Sequence, residues 1–317
     1  EVEDHGDGTY TITLTPHTDG PHQLLITMDG EHVQKSPYDL HVRRTYNTPS
    51  KTYNTLSTPK QVINCSGGPI GIAIHDSGDI YVSCYSDSII RVFDQTGQQK
   101  RTIGSRGNGD GQFNQPYGLF IKGDVMYVAD YVNQRIQKLT TEGQFLGKFG
   151  QHGSGQGQFN GPVSVIVDQR DRMIVADHYN HRVVILDQAG TWLLTINGNV
   201  SGSHAFQYPY GLALDPQGNI HVAAYGSNTI KVFTPEGTYV RSYGDVKRPS
   251  ELVIDEEGYS LVNEMSGNCL SIFDPQGNKI HTVGGLNQPR GVLLHVDPKS
   301  SNLYVVNFDA NRYSLVF

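Results

Sequence analysis

Pro69, Pro116, Pro162, Pro209, Pro249 and Pro289 recur at intervals of 47, 46, 47, 40 and 40 residues, and each opens the same succession of segments. An apolar run follows the proline, as in LALD at 212–215, and a Pro-Gly turn (PQGN, 216–219) ends it. Then come IHVAAY, a polar turn, TIKVF, a second Gly turn (TPEG, 234–237) and TYVRSYG. Apolar and polar residues alternate within these runs, as Ile230 and Val232 do around Lys231, which is the period of a β-strand. One such four-stranded unit cannot bury its own apolar faces, so the copies must pack on one another. The near-identity of ADYVNQRIQKL (129–139) and ADHYNHRVVIL (176–186) belongs to this global period and is first of all architecture.

The ends of the repeat predict how the array is closed. The last copy stops at RYSLVF (312–317), one strand short, whereas KQVIN (60–64) precedes the first proline, where other copies carry a fourth strand. Pairing these two segments removes the open edges of the array. The expected fold is therefore all-β: a six-bladed β-propeller over residues 60–317, closed by strand 60–64.

Residues 1–44 read as a separate unit, and 45–59 as a linker. The first segment contains three β-like runs between Gly-rich turns, and Asp7-Gly8-x-Tyr10 has the pattern of a tyrosine corner. It carries a net charge of −5, against −2 for residues 45–317. So short a piece exposes an apolar face and is expected to be marginal alone. The chain begins with Glu1, without a signal peptide, and reads as part of something longer. Cys65, Cys84 and Cys269 lie far apart in sequence and read as reduced thiols, which points to a cytoplasmic protein. Two N-x-S sequons, at Asn64 and Asn199, read as chance matches.

YNHRV (179–183), the linkers GNGDGQFNQP (107–116) and GSGQGQFNGP (153–162), and the D-x-x-N-x-R pattern at Asp130/Asn133/Arg135 and Asp177/Asn180/Arg182 resemble the NHL repeat. Blades 1 and 5 depart from it, since CYSDSIIR and EMSGNCLS lack the Asp and Arg. SPYDLHV (36–42) is similar to the last strand of a filamin-type immunoglobulin-like repeat. A partial filamin repeat followed by an NHL propeller resembles the C-terminal half of the TRIM-NHL family. That resemblance implies upstream RING, B-box and coiled-coil parts supplying ubiquitin-ligase activity and oligomerisation. The segment itself is then non-enzymatic.

Candidate sites divide into what repeats and what varies. Asp130 with Arg135, and Asp177 with Arg182, stand at either end of a turn and read as structural pairs. The same column continues as Glu264 and Asn307, an oxygen set that could hold Ca²⁺, but Cys84 and Ala224 interrupt it. His178 and His181 are too few for a catalytic zinc and read as exposed turn residues. No metal, no cofactor and no catalytic residue is expected; a metal-dependent hydrolase or lyase is the remote alternative. The Gly-rich linkers lack the Lys-Ser/Thr ending of a phosphate-binding loop.

What varies is aromatic. Immediately after the proline stand Ile70, Tyr117, Val163, Tyr210, Ser250 and Arg290, and after the Ala-Asp column stand Tyr85, Tyr131, His178, Tyr225, Met265 and Phe308. Both columns fall in turns that open on one face of a propeller. Tyr85, Tyr117, Tyr131, His178, Tyr210, Tyr225, Arg290 and Phe308 are thus the expected partner-binding residues. The expected partner is a protein target, with RNA as the alternative, because aromatic rings stack on unpaired bases and Arg135, Arg182, Arg290 and Arg312 could meet phosphates. The net charge of −7 supplies no basic footprint, and neither DNA nor a membrane is expected as a partner.

Overall fold

The computed structural model describes residues 65–198 and 204–286 with their side chains, together with Ile63, Gly202, Pro289, Arg290, Val305 and Val306, and the backbone of further strands towards both ends. It divides into two units, Glu1–Thr52 and Tyr53–Phe317. The first holds three antiparallel pairings: Val2–Asp4 with Tyr10–Ile12, Gly20–Leu24 with Tyr38–Val42, and Thr27–Met28 with Glu31–His32. The tyrosine-corner side chains, both sequons and the stability of this segment lie outside the described residues.

The second unit is an all-β propeller. Blade 1 is built from Pro69–Ile74, Ile80–Cys84, Ile89–Phe93 and Gln99–Ile103, hydrogen-bonded in chain order. Four more blades of consecutive strands begin at Pro116, Pro162, Pro209 and Pro249. The expectation of six such blades needs correcting: five are self-contained. The remaining four-stranded sheet is composite, joining Pro289–Val296, Ser301–Asn307 and Leu315–Val316 to Gln61–Val62 from the start of the unit. Leu315 pairs with Val62 and Val316 with Gln61.

Strand burial explains the order. The second and third strands of blades 3 and 4 are almost wholly buried, as in Met173–Asp177 and Ile220–Ala224, whereas the outermost strands alternate. The apolar faces meet between neighbouring blades. Tyr127, Val165, Val175 and Val184 fill the space between blades 2 and 3, and Ile174, Ile185, Leu212 and Val222 that between blades 3 and 4. Val305 of the composite sheet joins the blade 5 cluster of Leu261 and Leu270, and Val306 joins the blade 1 cluster of Val82 and Cys84.

The turns follow from Asp chemistry. Asp94, Asp187 and Asp215 each accept two backbone N–H groups, from residues two and four positions later, through Oδ1. In the long linkers, QFN has three separate jobs. Gln112 folds back to accept from Gly109 N at 3.0 Å, Phe113 enters the core between blades 1 and 2, and the N–H of Asn114 goes to Asp130.

Candidate functional site

The structural pairs hold the linkers beneath the variable face. Asp130 Oδ2 accepts from Arg135 Nε at 2.7 Å and Asn133 Nδ2 at 2.9 Å, while Oδ1 takes Asn114 N–H at 2.7 Å. The rest of the Arg135 guanidinium donates to the carbonyls of Asn108, Gly109 and Gln112. Asp177 and Arg182 repeat the pattern on Asn160, Ser154, Gly155 and Gln158. Burial raises the Asp177 carboxyl, against the Asn160 N–H, Asn180 and Arg182, which lower it.

These contacts change the reading of two arginines. Arg135 and Arg182 are spent on a buried carboxylate and linker carbonyls, so the expected phosphate contacts from them are not available in this arrangement. Arg312 lies outside the described residues. In blade 5 the pair is replaced: Glu264 accepts from Lys247 N–H, Ser271 Oγ and Lys279 Nζ, at 2.8, 2.5 and 3.0 Å. In blade 1, Cys84 Sγ lies 3.6 Å from Cys65 Sγ, so two thiols distant in sequence are neighbours in space. Among the described residues no group of three or more His, Cys, Asp or Glu could hold a metal ion.

Above this layer the aromatic columns meet. Tyr117 lies 5.5 Å from Tyr85, 5.0 Å from Tyr131 and 5.8 Å from Tyr210, between ring centroids. Tyr210 in turn packs on His178 at 5.8 Å and stacks on Tyr225 at 6.0 Å. Arg290 donates to Tyr210 Oη at 3.2 Å, and Tyr117 hydrogen-bonds the same hydroxyl. Tyr117, Tyr210 and Arg290 belong to blade 2, blade 4 and the composite sheet, which are not neighbours, so their side chains meet across the axis. Burial pushes the phenol pKa of Tyr117, Tyr131 and Tyr210 above its ordinary value, so these hydroxyls stay protonated. Phe308 lies outside the described residues.

The histidines are not exposed turn residues, as the sequence suggested. His178 is half-buried, with Nδ1 3.0 Å from Pro209 O, and burial pushes it down to about 4. His181 accepts Tyr208 N–H at 3.1 Å and packs edge-on to the Tyr208 ring at 4.3 Å. Its left-handed φ of 53° closes the turn after the short 3₁₀ helix His178–Asn180.

Sequence reasoning missed three members of this face. Tyr208 and Arg248 occupy the position before the blade proline, with φ of 51° and 52°. Arg248 is exposed and lies 5.6 Å over the Tyr225 ring. Tyr179, 48% exposed, donates or accepts across a 3.0 Å bond between its hydroxyl and that of Tyr131. The residue before each proline was the available signal, since Gly68, Gln115, Gly161, Tyr208 and Arg248 all share the left-handed backbone there.

Fold and face together define a repeat propeller that presents a contiguous aromatic surface at one end. The Filamin/ABP280 repeat family model matches residues 1–39. Filamin-C of Mus musculus is 29% identical over 117 residues, covering 37% of this chain and 4% of that protein. The E3 ubiquitin-protein ligase TRIM71 of Rattus norvegicus is 28% identical over 104 residues, 31% of this chain and 12% of its own length. The chain thus spans a small part of either relative. In three dimensions it is similar to a virginiamycin B lyase of Staphylococcus aureus (TM-score 0.60, 12% identity, 81% of this chain and 98% of that one). It is also similar to a gluconolactonase of Xanthomonas campestris (TM-score 0.63, 14% identity, 81% and 88%). At those identities the likeness concerns the fold alone. A filamin-repeat match ahead of a β-propeller, with TRIM71 among its sequence relatives, supports the resemblance to a TRIM-NHL C-terminal region.

Proposed function

We propose that the propeller is a non-enzymatic recognition module that binds a protein target through its aromatic face. In the longer, cytoplasmic protein it selects the target for ubiquitin-ligase chemistry residing in a RING domain. The composite sheet packs on blade 5 through Val305 and on blade 1 through Val306, which gives that face a fixed shape.

One observation carries the reading: nine tyrosine and histidine rings from blades 1–4 form a continuous cluster, rooted in the core at Tyr210 and reaching the surface at Tyr179. Tyr210 belongs to the core between blades 3 and 4, and Tyr117, Tyr131 and Tyr225 pack against it, so the rings of the face grow out of the core and are held rigidly by it. Exposed Tyr179, Val132 and Arg248 rim the cluster. Tyr and Arg around an apolar centre are the usual anchors of protein interfaces.

RNA is the second reading, since rings at this spacing also suit stacked bases. Against it stand Arg135 and Arg182, committed to buried carboxylates and linker carbonyls, and the net charge of −2 over residues 45–317. Fluorescence polarisation of the chain with a random single-stranded RNA pool, titrated in salt, separates the two. The proposal expects no binding at physiological salt. Micromolar, steeply salt-dependent binding that is lost in Tyr179→Ala and Arg248→Ala would replace it with RNA recognition.

A further inference from the structure

Two residues beyond each blade proline, the first strands place one residue apiece in a layer around the axis: Gly71, Gly118, Ser164, Gly211, Glu251 and Gly291. Close approach accounts for the small residues. A Cβ on Gly118 would stand 2.7 Å from Val163 O, and one on Gly211 would stand 2.5 Å from Ser250 O. Blade 5 alone puts a carboxylate in this layer.

Glu251 faces a cavity of about 290 Å³ along the axis, walled by Leu119, Phe120, Ile166, Leu214 and Ile254. It is the one charged side chain among the described residues lining that space. Its carboxylate accepts the backbone N–H groups of Leu212 and Leu252, no cation pairs with it among the described residues, and burial pushes it up to about 8. Directly above, Tyr117, Tyr210 and Arg290 close the axis on the aromatic side. The cavity therefore has a blind end carrying one acid and apolar walls running towards the opposite face.

We propose that this axial cavity binds a single cationic head on an aliphatic stem, the chemistry of a lysine or arginine side chain or of a free alkylammonium. The ammonium supplies a countercharge to Glu251, and the methylenes lie against the leucine and isoleucine walls. A divalent ion is a poor fit, because one carboxylate and Ser164 do not make a shell of six or more oxygens. The inference is independent of what the aromatic face binds.

The test is methyl NMR of the whole chain, titrated at about pH 8.5, where Glu251 is ionised and an alkylammonium is still charged. The probes are n-butylammonium chloride, n-butanol and a capped Gly-Gly-Lys-Gly-Gly peptide. Saturable shifts confined to Leu119, Ile166, Leu214 and Ile254 are expected with butylammonium and not with butanol. In Glu251→Gln, which preserves the backbone hydrogen bonds, affinity should fall at least tenfold; Glu257→Gln, in a turn on the opposite face, should leave it unchanged. Binding of the peptide as well assigns the site to a protein side chain, and binding of butylammonium alone assigns it to a free amine. Equal affinity in Glu251→Gln with retained folding, or no saturable shift with either cation, would overturn the inference.

Discussion

At the scale of single residues, the strongest local commitment is the buried Asp–Arg pair. Asp130 is wholly enclosed and accepts from Asn114 N–H, Asn133, Arg135 Nε and Gln137, so Asp130→Ala leaves Arg135 Nε and the Asn114 N–H without their acceptor. The expected loss is about 3–5 kcal/mol, as for removal of one partner of a buried ion pair, read from urea unfolding. A loss below about 1 kcal/mol would place the pair with exposed salt bridges instead. His178 gives a second readout at this scale. Held at about 4 by burial, it should stay neutral in an NMR titration until well below its ordinary 6.5. The unfolded chain binds that proton first, so this group's contribution is complete above 6.5 and is lost as the pH falls towards 4. A midpoint near 6.5 would mean that the ring is solvated. Glu251 has the opposite sign. Its folded carboxyl keeps a proton up to about 8, whereas the unfolded one loses it near 4.5, so stability should decline as the pH rises across that window. Glu251→Gln should flatten the decline, and an unchanged profile would show that the carboxyl is not desolvated.

At the scale of elements, the linker and the inner strand carry most of the information. Gly211→Ala demands a methyl group 2.5 Å from the Ser250 carbonyl and 2.6 Å from the Glu251 Cα, between backbones that cannot yield separately. A destabilisation of roughly 1–3 kcal/mol is expected, as for overpacking a close-packed site. Gly111→Ala meets no neighbour, but its φ of 73° still costs backbone strain, so the two losses separate crowding from conformation. Equal losses would contradict the tight axial layer. The blade was legible in sequence because its turns are written in Asp, Pro and Gly and its strands in alternation. The linker motif was legible only as a pattern. That Gln112 folds back, Phe113 plugs and Asn114 is capped by Asp130 is tertiary information that spacing does not encode. The aromatic columns could likewise be read from the period, but not their depth. Tyr210 is buried and Tyr117 half-buried, whereas Tyr179 and Arg248, outside the chosen columns, are exposed. Exposure depends on how far each turn stands above the axis, and unequal linkers set that height.

At the scale of the whole molecule, the ring is held by a sheet that draws on both ends of the unit. Because Val62 pairs with Leu315, deleting residues 60–64 uncovers the edge of Leu315–Val316. The truncated chain should unfold less cooperatively and associate through that edge, as seen by calorimetry and light scattering. An unchanged, monomeric transition would mean that closure contributes little. The central claim concerns the face that this closure shapes, and site-specific photocrosslinking tests it most directly. A photoreactive amino acid is placed at Tyr179, on the aromatic face, or at Glu257, in the 1–2 turn on the opposite side, within the full-length protein in cells. The account expects crosslinks to a discrete protein from position 179 that survive ribonuclease and are absent from position 257. Crosslinks to RNA from position 179, or the same products from both positions, would contradict it.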